Sequence, residues 1–220
     1  TAGMGIYKWS RTGASTTDYF SHGLGVTPTI AIQKRTDDVQ DWYVNTTIID
    51  GTNDNLHLNK TDAKEDDSTT VPTSTNYYPK SPETGDYITY LFAPIKGFSS
   101  FGSYKGTGNA DGVFIYTGFK PAFVVVKLTS GADNWMAFTN KIGSQTDETG
   151  GHNIHNRLLE LNGSGAEQSA GTGHGLDFCA NGFKIREDNV NMNGSGSTYL
   201  YFAFAEEPLV SSNGVPATAG

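Results

Sequence analysis

Ile115-Tyr-Thr-Gly-Phe-Lys-Pro-Ala-Phe-Val-Val-Val-Lys127 decides the fold, because an earlier stretch repeats its layout: His22-Gly-Leu-Gly-Val-Thr-Pro-Thr-Ile-Ala-Ile-Gln-Lys34. Gly25 matches Gly118, Pro28 matches Pro121 and Lys34 matches Lys127. Trp42 and Trp135 follow at the same spacing of 93 positions (121 − 28; 135 − 42). Proline fixes φ and cannot donate to a ladder, so each Pro belongs at the entrance of a strand. The runs behind them, Thr29–Lys34 and Ala122–Leu128, are rich in β-formers. Val124-Val125-Val126 suits a strand covered on both faces. Four anchors without a gap predict a chain built from two related all-β units.

Working outward, the offset grows. Leu56-His-Leu-Asn59 matches Leu159-Glu-Leu-Asn162, and Tyr87-Ile-Thr-Tyr-Leu-Phe-Ala93 matches Tyr199-Leu-Tyr-Phe-Ala-Phe-Ala205. The second copy therefore gains residues, within Gln145 to Asn156 in the first instance. The opening strands match loosely, Ile6-Tyr7-Lys8 beside Ser103-Tyr104-Lys105, which sets Trp9 against Gly106. Copy one spans 1–96, copy two 97–208, and 209–220 reads as a flexible tail. Each copy opens with a strand (Gly5–Ser10; Phe101–Gly106) and continues through the Pro-led strand, a Trp-bearing strand and a Leu-x-Leu strand. An aromatic strand closes it. In the last of these, Tyr199, Tyr201 and Ala203 share one face and Leu200, Phe202 and Phe204 the other. Leu176 to Glu187 reads as a hairpin turning on Asn181-Gly182, two residues that accept positive φ; its counterpart around Thr73 to Tyr78 is degraded. Only Arg157–Leu161 is arguable as a helix, and it is too short to weigh. Many short strands at this spacing, with turn signals between them, indicate a sandwich or barrel; the fold expected is two tandem, related, antiparallel β-sandwich-like units (jelly-roll or lectin-like).

Composition agrees. The 220 residues include 27 Gly, 12 Phe, 11 Tyr and 3 Trp, a mix that favours short strands joined by tight turns. The formal net charge of −8 repels phosphate backbones and acidic membrane surfaces, so nucleic acid is an unfavourable partner. The longest apolar run, Ala122 to Val126, is too short for membrane insertion. The chain opens on Thr1 without Met, which reads as a fragment or a processed product. Cys179 is the single cysteine and cannot form an internal disulfide; its strand-like context predicts a buried structural thiol.

No nucleophile elbow, no His-Glu-x-x-His and no phosphate-cradling loop is present. The Gly-x-Gly strings at Gly23, Gly106 and Gly194 lack a following helix and read as turns. The carboxylates offer no pair that stands out as glycosidase-like. Asp147, Glu148, His152 and His155 fall in the insertion of copy two and read as a solvated loop rather than a metal centre. The acidic run Asp62, Glu65, Asp66 and Asp67 lacks the spaced ligands of a calcium loop and reads as a solvated charged loop. No metal and no cofactor is expected, and the chain is expected not to be an enzyme. Aromatic platforms are the most plausible binding chemistry, since sugars stack C–H faces on rings while polar side chains bond their hydroxyls. Trp42 and Trp135 occupy matching positions and so read as core. Residues unique to one copy are better ligand candidates: Trp9, Tyr77 and Tyr78 are predicted to form an exposed patch.

Several strings carry a family resemblance: Phe101-Gly-Ser-Tyr-Lys-Gly-Thr-Gly-Asn-Ala-Asp-Gly112, Tyr116-Thr-Gly-Phe-Lys-Pro-Ala-Phe-Val-Val-Val-Lys127, Asn181-Gly-Phe-Lys-Ile-Arg186, Tyr199-Leu-Tyr-Phe-Ala-Phe-Ala-Glu-Glu-Pro-Leu209 and Ser212-Asn-Gly-Val-Pro-Ala-Thr-Ala219. They resemble a repeat near the C-termini of large tail-fibre and other virion surface proteins of marine tailed bacteriophages. Copy two is the closer match; copy one departs at Trp9-Ser10-Arg11 and at Thr73–Pro82. The resemblance implies a virion-associated adhesion or structural role; the function expected is a non-catalytic attachment module recognising host cell-surface polysaccharide. It further implies other virion proteins as partners and a homotrimer. A purely structural virion part, such as a capsid decoration or fibre spacer, and a polysaccharide depolymerase are the alternatives.

Overall fold

The structure is a computed structural model that describes residues 3–13, 18–80, 83–142, 154–155, 157–169 and 175–207. It is all-β, with antiparallel pairing throughout, and it divides into two compact units, Thr1–Pro94 and Ile95–Gly220. Residues 209–220, the expected tail, lie outside the described residues.

Unit 1 contains β1 (Met4–Arg11), β2 (Phe20–Ser21), β3 (Ile30–Arg35), β4 (Tyr43–Thr46), β5 (Asp54–His57), β6 (Glu65–Asp66), β7 (Asn76–Tyr77) and β8 (Gly85–Phe92). Six of these form one sheet in the order β1-β8-β3-β4-β5-β6, and β2 pairs with β7. The β2–β7 ladder lies over one face of the larger sheet. Leu24, Ala31, Tyr77 and Leu91 form the apolar core there, with Tyr7 and Phe20 packed against it.

Unit 2 contains β9 (Ser99–Lys105), β10 (Phe114–Tyr116), β11 (Pro121–Leu128), β12 (Trp135–Thr139), β13 (Ile154–His155), β14 (Arg157–Glu160), β15 (Gln168–Ser169), β16 (Leu176–Cys179), β17 (Gly182–Ile185), α1 (Val190–Asn193) and β18 (Thr198–Ala205). Its larger sheet runs β9-β18-β11-β12-β14-β15, and a four-stranded sheet runs β10-β17-β16-β13. The two layers close on one core: Ile115, Phe178 and Phe183 of the smaller sheet meet Val124, Val126, Met136, Phe138, Tyr199 and Tyr201 of the larger. Phe183 sits edge-on to Tyr201 at 5.5 Å. Val124, Val125 and Val126 are all buried, as a strand covered on both faces requires. Arg157–Glu160 is a strand; the one described helix is α1, held at its start by Asn189, whose side chain accepts from Asn191 N–H. It is far too short to cross a membrane.

The six-stranded sheets share details as well as order. Asn59 Oδ1 accepts the Trp42 N–H at 2.9 Å, and Asn162 Oδ1 accepts the Trp135 N–H at 2.8 Å. Thr36 N–H donates to Asp86 O as Thr129 N–H donates to Thr198 O. Gly25 and Gly118, before the two prolines, both hold positive φ (71° and 81°), a conformation that disfavours any Cβ. The inward faces differ in chemistry. Gln33 lies opposite Thr89 as Val126 lies opposite Tyr201, and Asn45 opposite Ala31 as Phe138 opposite Val124. Buried amides in unit 1 thus stand where unit 2 has hydrocarbon. Their nitrogens are bonded, Gln33 Nε2 donating to Lys80 O and Asn45 Nδ2 to Asp67 Oδ2 at 3.2 Å, whereas Gln33 Oε1 is buried without a partner among the described residues.

The hairpin read at Asn181-Gly182 exists one residue earlier. Cys179 pairs with Gly182, so Ala180 and Asn181 form the loop, and no described non-glycine residue has positive φ. Gly182 is a strand residue whose role is close approach: a Cβ there would lie 2.1 Å from Ile115 O.

Candidate functional site

In β1, alternation sends Tyr7 and Trp9 to the inner face. Trp9 lies opposite Tyr87 on β8, and the two rings stack with centroids 4.7 Å apart and planes 14° apart. The Trp9 indole N–H donates to Thr89 Oγ1 at 2.9 Å. The β2–β7 ladder places Phe20 opposite Tyr77, with its ring 5.2 Å from Tyr7 and 5.9 Å from Trp9. Between Trp9–Thr12 on one side and Asp18–Phe20 with Pro79 on the other lies a cleft of about 430 Å³, within the size range of small-ligand sites. Its walls are three aromatic rings (Trp9, Tyr19, Phe20) and an ionic edge where Arg11 Nε stands 3.7 Å from Asp18 Oδ2 and donates to Gly13 O at 2.7 Å.

The expected patch is only partly assembled. Trp9 lines the cleft, half-buried. Tyr78 is half-buried and its ring meets Tyr19 at 5.6 Å; Tyr19 itself is 59% exposed. Tyr77 is not part of an exposed patch. It is 1% exposed, sits in the core of unit 1, and its hydroxyl donates to Asn45 Oδ1 at 3.3 Å. Burial pushes its phenol well above the ordinary range. Neighbours in an extended strand point to opposite faces, so Tyr77 and Tyr78 cannot share a surface. Tyr19, Phe20 and Asp18 complete the cleft with Arg11 of β1 and carry no sequence signal, because the β2–β7 pairing alone brings them to β1.

The Trp9 stack has a geometric parallel in unit 2. Tyr104 on β9 lies opposite Tyr199 and stacks on it at 4.9 Å and 15°, the same arrangement as Trp9 on Tyr87. Setting the two stacks in register shifts the match of the opening strands by two residues, a slip that preserves the face. In unit 2 the Tyr104 hydroxyl donates to Met192 O of α1 at 2.8 Å, and the ring is buried. Among the described residues the β7–β8 connection carries no helix, and the cleft opens beside Trp9.

The acidic residues form a different constellation. Asp50 Oδ2, Asp54 Oδ1 and Asp66 Oδ1 each lie 2.6 Å from the Lys64 ammonium. These carboxylates come within 4.8 Å of one another, and a cation of the chain itself sits among them. Asp50 is held down to about 2, first by its bond to Lys64 and then by Thr52, whereas burial raises Asp54. Of the acidic run, Asp62, Glu65 and Asp66 are exposed, as expected of a solvated segment, although Glu65–Asp66 forms a strand and the Asp67 side chain is buried, accepting from Asn45. His155 is likewise a strand residue, edge-on to Phe178 at 4.9 Å, and burial lowers its pKa; Asp147, Glu148 and His152 lie outside the described residues. Cys179 is half-buried rather than buried, and desolvation raises its thiol, which disfavours the nucleophilic thiolate.

A model of the family described as a domain of unknown function, DUF7483, matches residues 1–208. No curated protein and no solved structure matches the chain.

Proposed function

The chain belongs to the DUF7483 family, and we propose that it is a non-catalytic attachment module of a phage virion surface protein, binding host cell-surface polysaccharide in the Trp9 cleft. The observation that carries this reading is the cleft itself. Three rings and an Arg–Asp edge surround a space of about 430 Å³, the mix of apolar faces and directed polar groups that saccharides need. In the architecture we propose, the units are tandem relatives, each β-sandwich-like in the jelly-roll or lectin-like manner. The common order of the six-stranded sheets, the paired Asn–Trp bonds and the paired aromatic stacks support that relationship. In this reading the second copy keeps its helix over Tyr104, and the first has lost it and gained a binding site. Weak sites gain avidity through repetition, which suits a fibre of several copies, a homotrimer among them, joined to other virion proteins.

The test is binding of the purified chain to an array of bacterial surface polysaccharides, with Tyr19→Ala and Trp9→Ala alongside and a reducing-sugar assay on each polymer. Binding that Tyr19→Ala abolishes, with no sugar released, supports attachment at the cleft. Absence of binding at avidity-boosted concentration favours a purely structural virion part. Released reducing ends would mean a depolymerase.

A further inference from the structure

The outward face of the four-stranded sheet in unit 2 carries a second aromatic platform. Phe114 and Tyr116 stand two apart on β10 and leave the same face, opposite to the one on which Ile115 and Phe183 join the core. They are 44% and 67% exposed, and among the described residues neither ring stacks on another. Across β17 and β16 the same face shows Lys184 and Asp177 in line with Phe114, and Gly182 and Cys179 in line with Tyr116.

Gly182, the cross-strand neighbour of Tyr116, leaves room on this face for the Phe114 ring. A Cβ there would meet Ile115 O at 2.1 Å and the Phe114 ring at 2.9 Å, so the position admits no side chain while Phe114 lies over it. The charges alongside are balanced. Lys184 Nζ lies 2.5 Å from Asp111 Oδ1, and Arg186 lies 3.3 Å from Asp111 and 3.4 Å from Asp177 Oδ2. Asp111 remains 75% exposed, presenting acceptor oxygens beside Lys184, the cross-strand neighbour of Phe114.

From this juxtaposition we infer that the face is a second saccharide-binding surface, taking a neutral hexopyranose segment. The C–H face of a sugar ring lies on Tyr116, and its hydroxyls meet the Asp111–Lys184–Arg186 lattice. Neutrality follows from charge: both cations at this face are already matched by carboxylates, and the chain carries −8 overall, so an anionic polymer meets repulsion without compensation. The inference rests on the glycan-attachment reading.

The experiment measures binding of the full chain to three immobilised polymers, an α-glucan, a galactan and a polygalacturonate. The proteins are the wild type, Tyr116→Ala, Tyr116→Thr, Tyr116→Phe and Tyr19→Ala, each checked for an unchanged thermal transition. Tyr116→Thr retains β-propensity and guards against misfolding of the Ala variant. We expect binding to a neutral polymer that weakens about tenfold in Tyr116→Ala and Tyr116→Thr, the scale of one lost ring contact of about 1.4 kcal/mol, and that Tyr116→Phe retains. Binding abolished by Tyr19→Ala and unmoved by Tyr116→Ala overturns the second surface and leaves the cleft reading standing. Preference for polygalacturonate overturns the neutral ligand. Failure of the wild type to bind any polymer, here and on the wider array, overturns both readings.

Discussion

Trp9 stacks on Tyr87 with centroids 4.7 Å apart and planes 14° apart, and it also forms one wall of the cleft. The ring therefore has two tasks that a mutation separates. Trp9→Ala removes the stack, the Thr89 hydrogen bond and the contact with Phe20. Deletion of a large aromatic from a packed site costs about 3–5 kcal/mol, with the half-exposure of Trp9 placing it at the lower end. Trp9→Tyr, which installs the residue type that stacks on Tyr199 in unit 2, keeps a stack on Tyr87 and loses under half as much. Urea denaturation of the three proteins checks this order; equal loss in Trp9→Ala and Trp9→Tyr would show that stacking is not what holds the ring.

The same pair shows where sequence reading succeeds and where it stops. The Gly-x-x-Pro entrances, the paired tryptophans and the Leu-x-Leu-Asn strings sit inside rigid hydrogen-bonded frames, so they keep their spacing and are legible. The opening strand carries few constraints of that kind. Its best string match, Tyr7 with Tyr104, differs by two residues from the ladder, which aligns Trp9 with Tyr104 through Tyr87 and Tyr199. A shift of two preserves every inward residue, so hydrophobic pattern alone cannot detect it. Tyr77 belongs to the core and Tyr78 does not, because strand alternation separates adjacent residues; grouping the two tyrosines in one patch runs against that rule. Tyr19, Phe20 and Asp18 reach the cleft through a two-residue ladder, β2–β7, too short to leave a periodic signal. The helix α1 is a single turn set by an Asn cap, beneath the length at which periodicity speaks.

Lys64 is the hub of three carboxylates, one of which, Asp54, has no exposed side-chain surface. Lys64→Met removes the counter-charge from that buried group, and loss of one partner from a buried pair costs about 3–5 kcal/mol. Adding Asp54→Asn to Lys64→Met removes the stranded charge and should return a large part of the loss. A double-mutant cycle by chemical denaturation measures the coupling. Additive effects of the two substitutions would contradict the hub.

Glu187 is buried, with neither carboxylate oxygen hydrogen-bonded. Burial first, then the nearby Asp188 and Asp133, push its pKa from 4.5 to about 8. The unfolded chain releases this proton near 4.5 and the folded protein only near 8. Between those values the unfolded state binds fewer protons, so this group makes stability fall as pH rises, most favourable below 4.5 and fully penalised above 8. Glu187→Gln removes the titration. We expect the variant to gain stability over the wild type progressively from about pH 5 to about pH 8, reaching on the order of a few kcal/mol, since a tenfold difference in proton affinity between folded and unfolded chain corresponds to about 1.4 kcal/mol. Melting curves across that range decide the matter; parallel profiles for the two proteins would mean that the acid is not held neutral by the fold.

Gly182 distinguishes two reasons for a glycine. If it served a turn needing positive φ, Asn would replace it well, because Asn tolerates that region. In the structure the loop is Ala180-Asn181 and Gly182 is already paired with Tyr116 and Cys179, with the Ile115 carbonyl where a Cβ would be. A carbonyl in a ladder cannot swing aside as a flexible side-chain end can. Both Gly182→Ala and Gly182→Asn must therefore push β10 from β17, at a cost of about 1–3 kcal/mol or more. Asn181→Gly, at the loop, should stay within about 1 kcal/mol. Amide hydrogen exchange reads the effect locally: Ile185 N–H, which donates to Val113 O, and Thr117 N–H, which donates to Asn181 O, lose protection in both Gly182 variants. Retained protection in Gly182→Asn would restore the turn explanation.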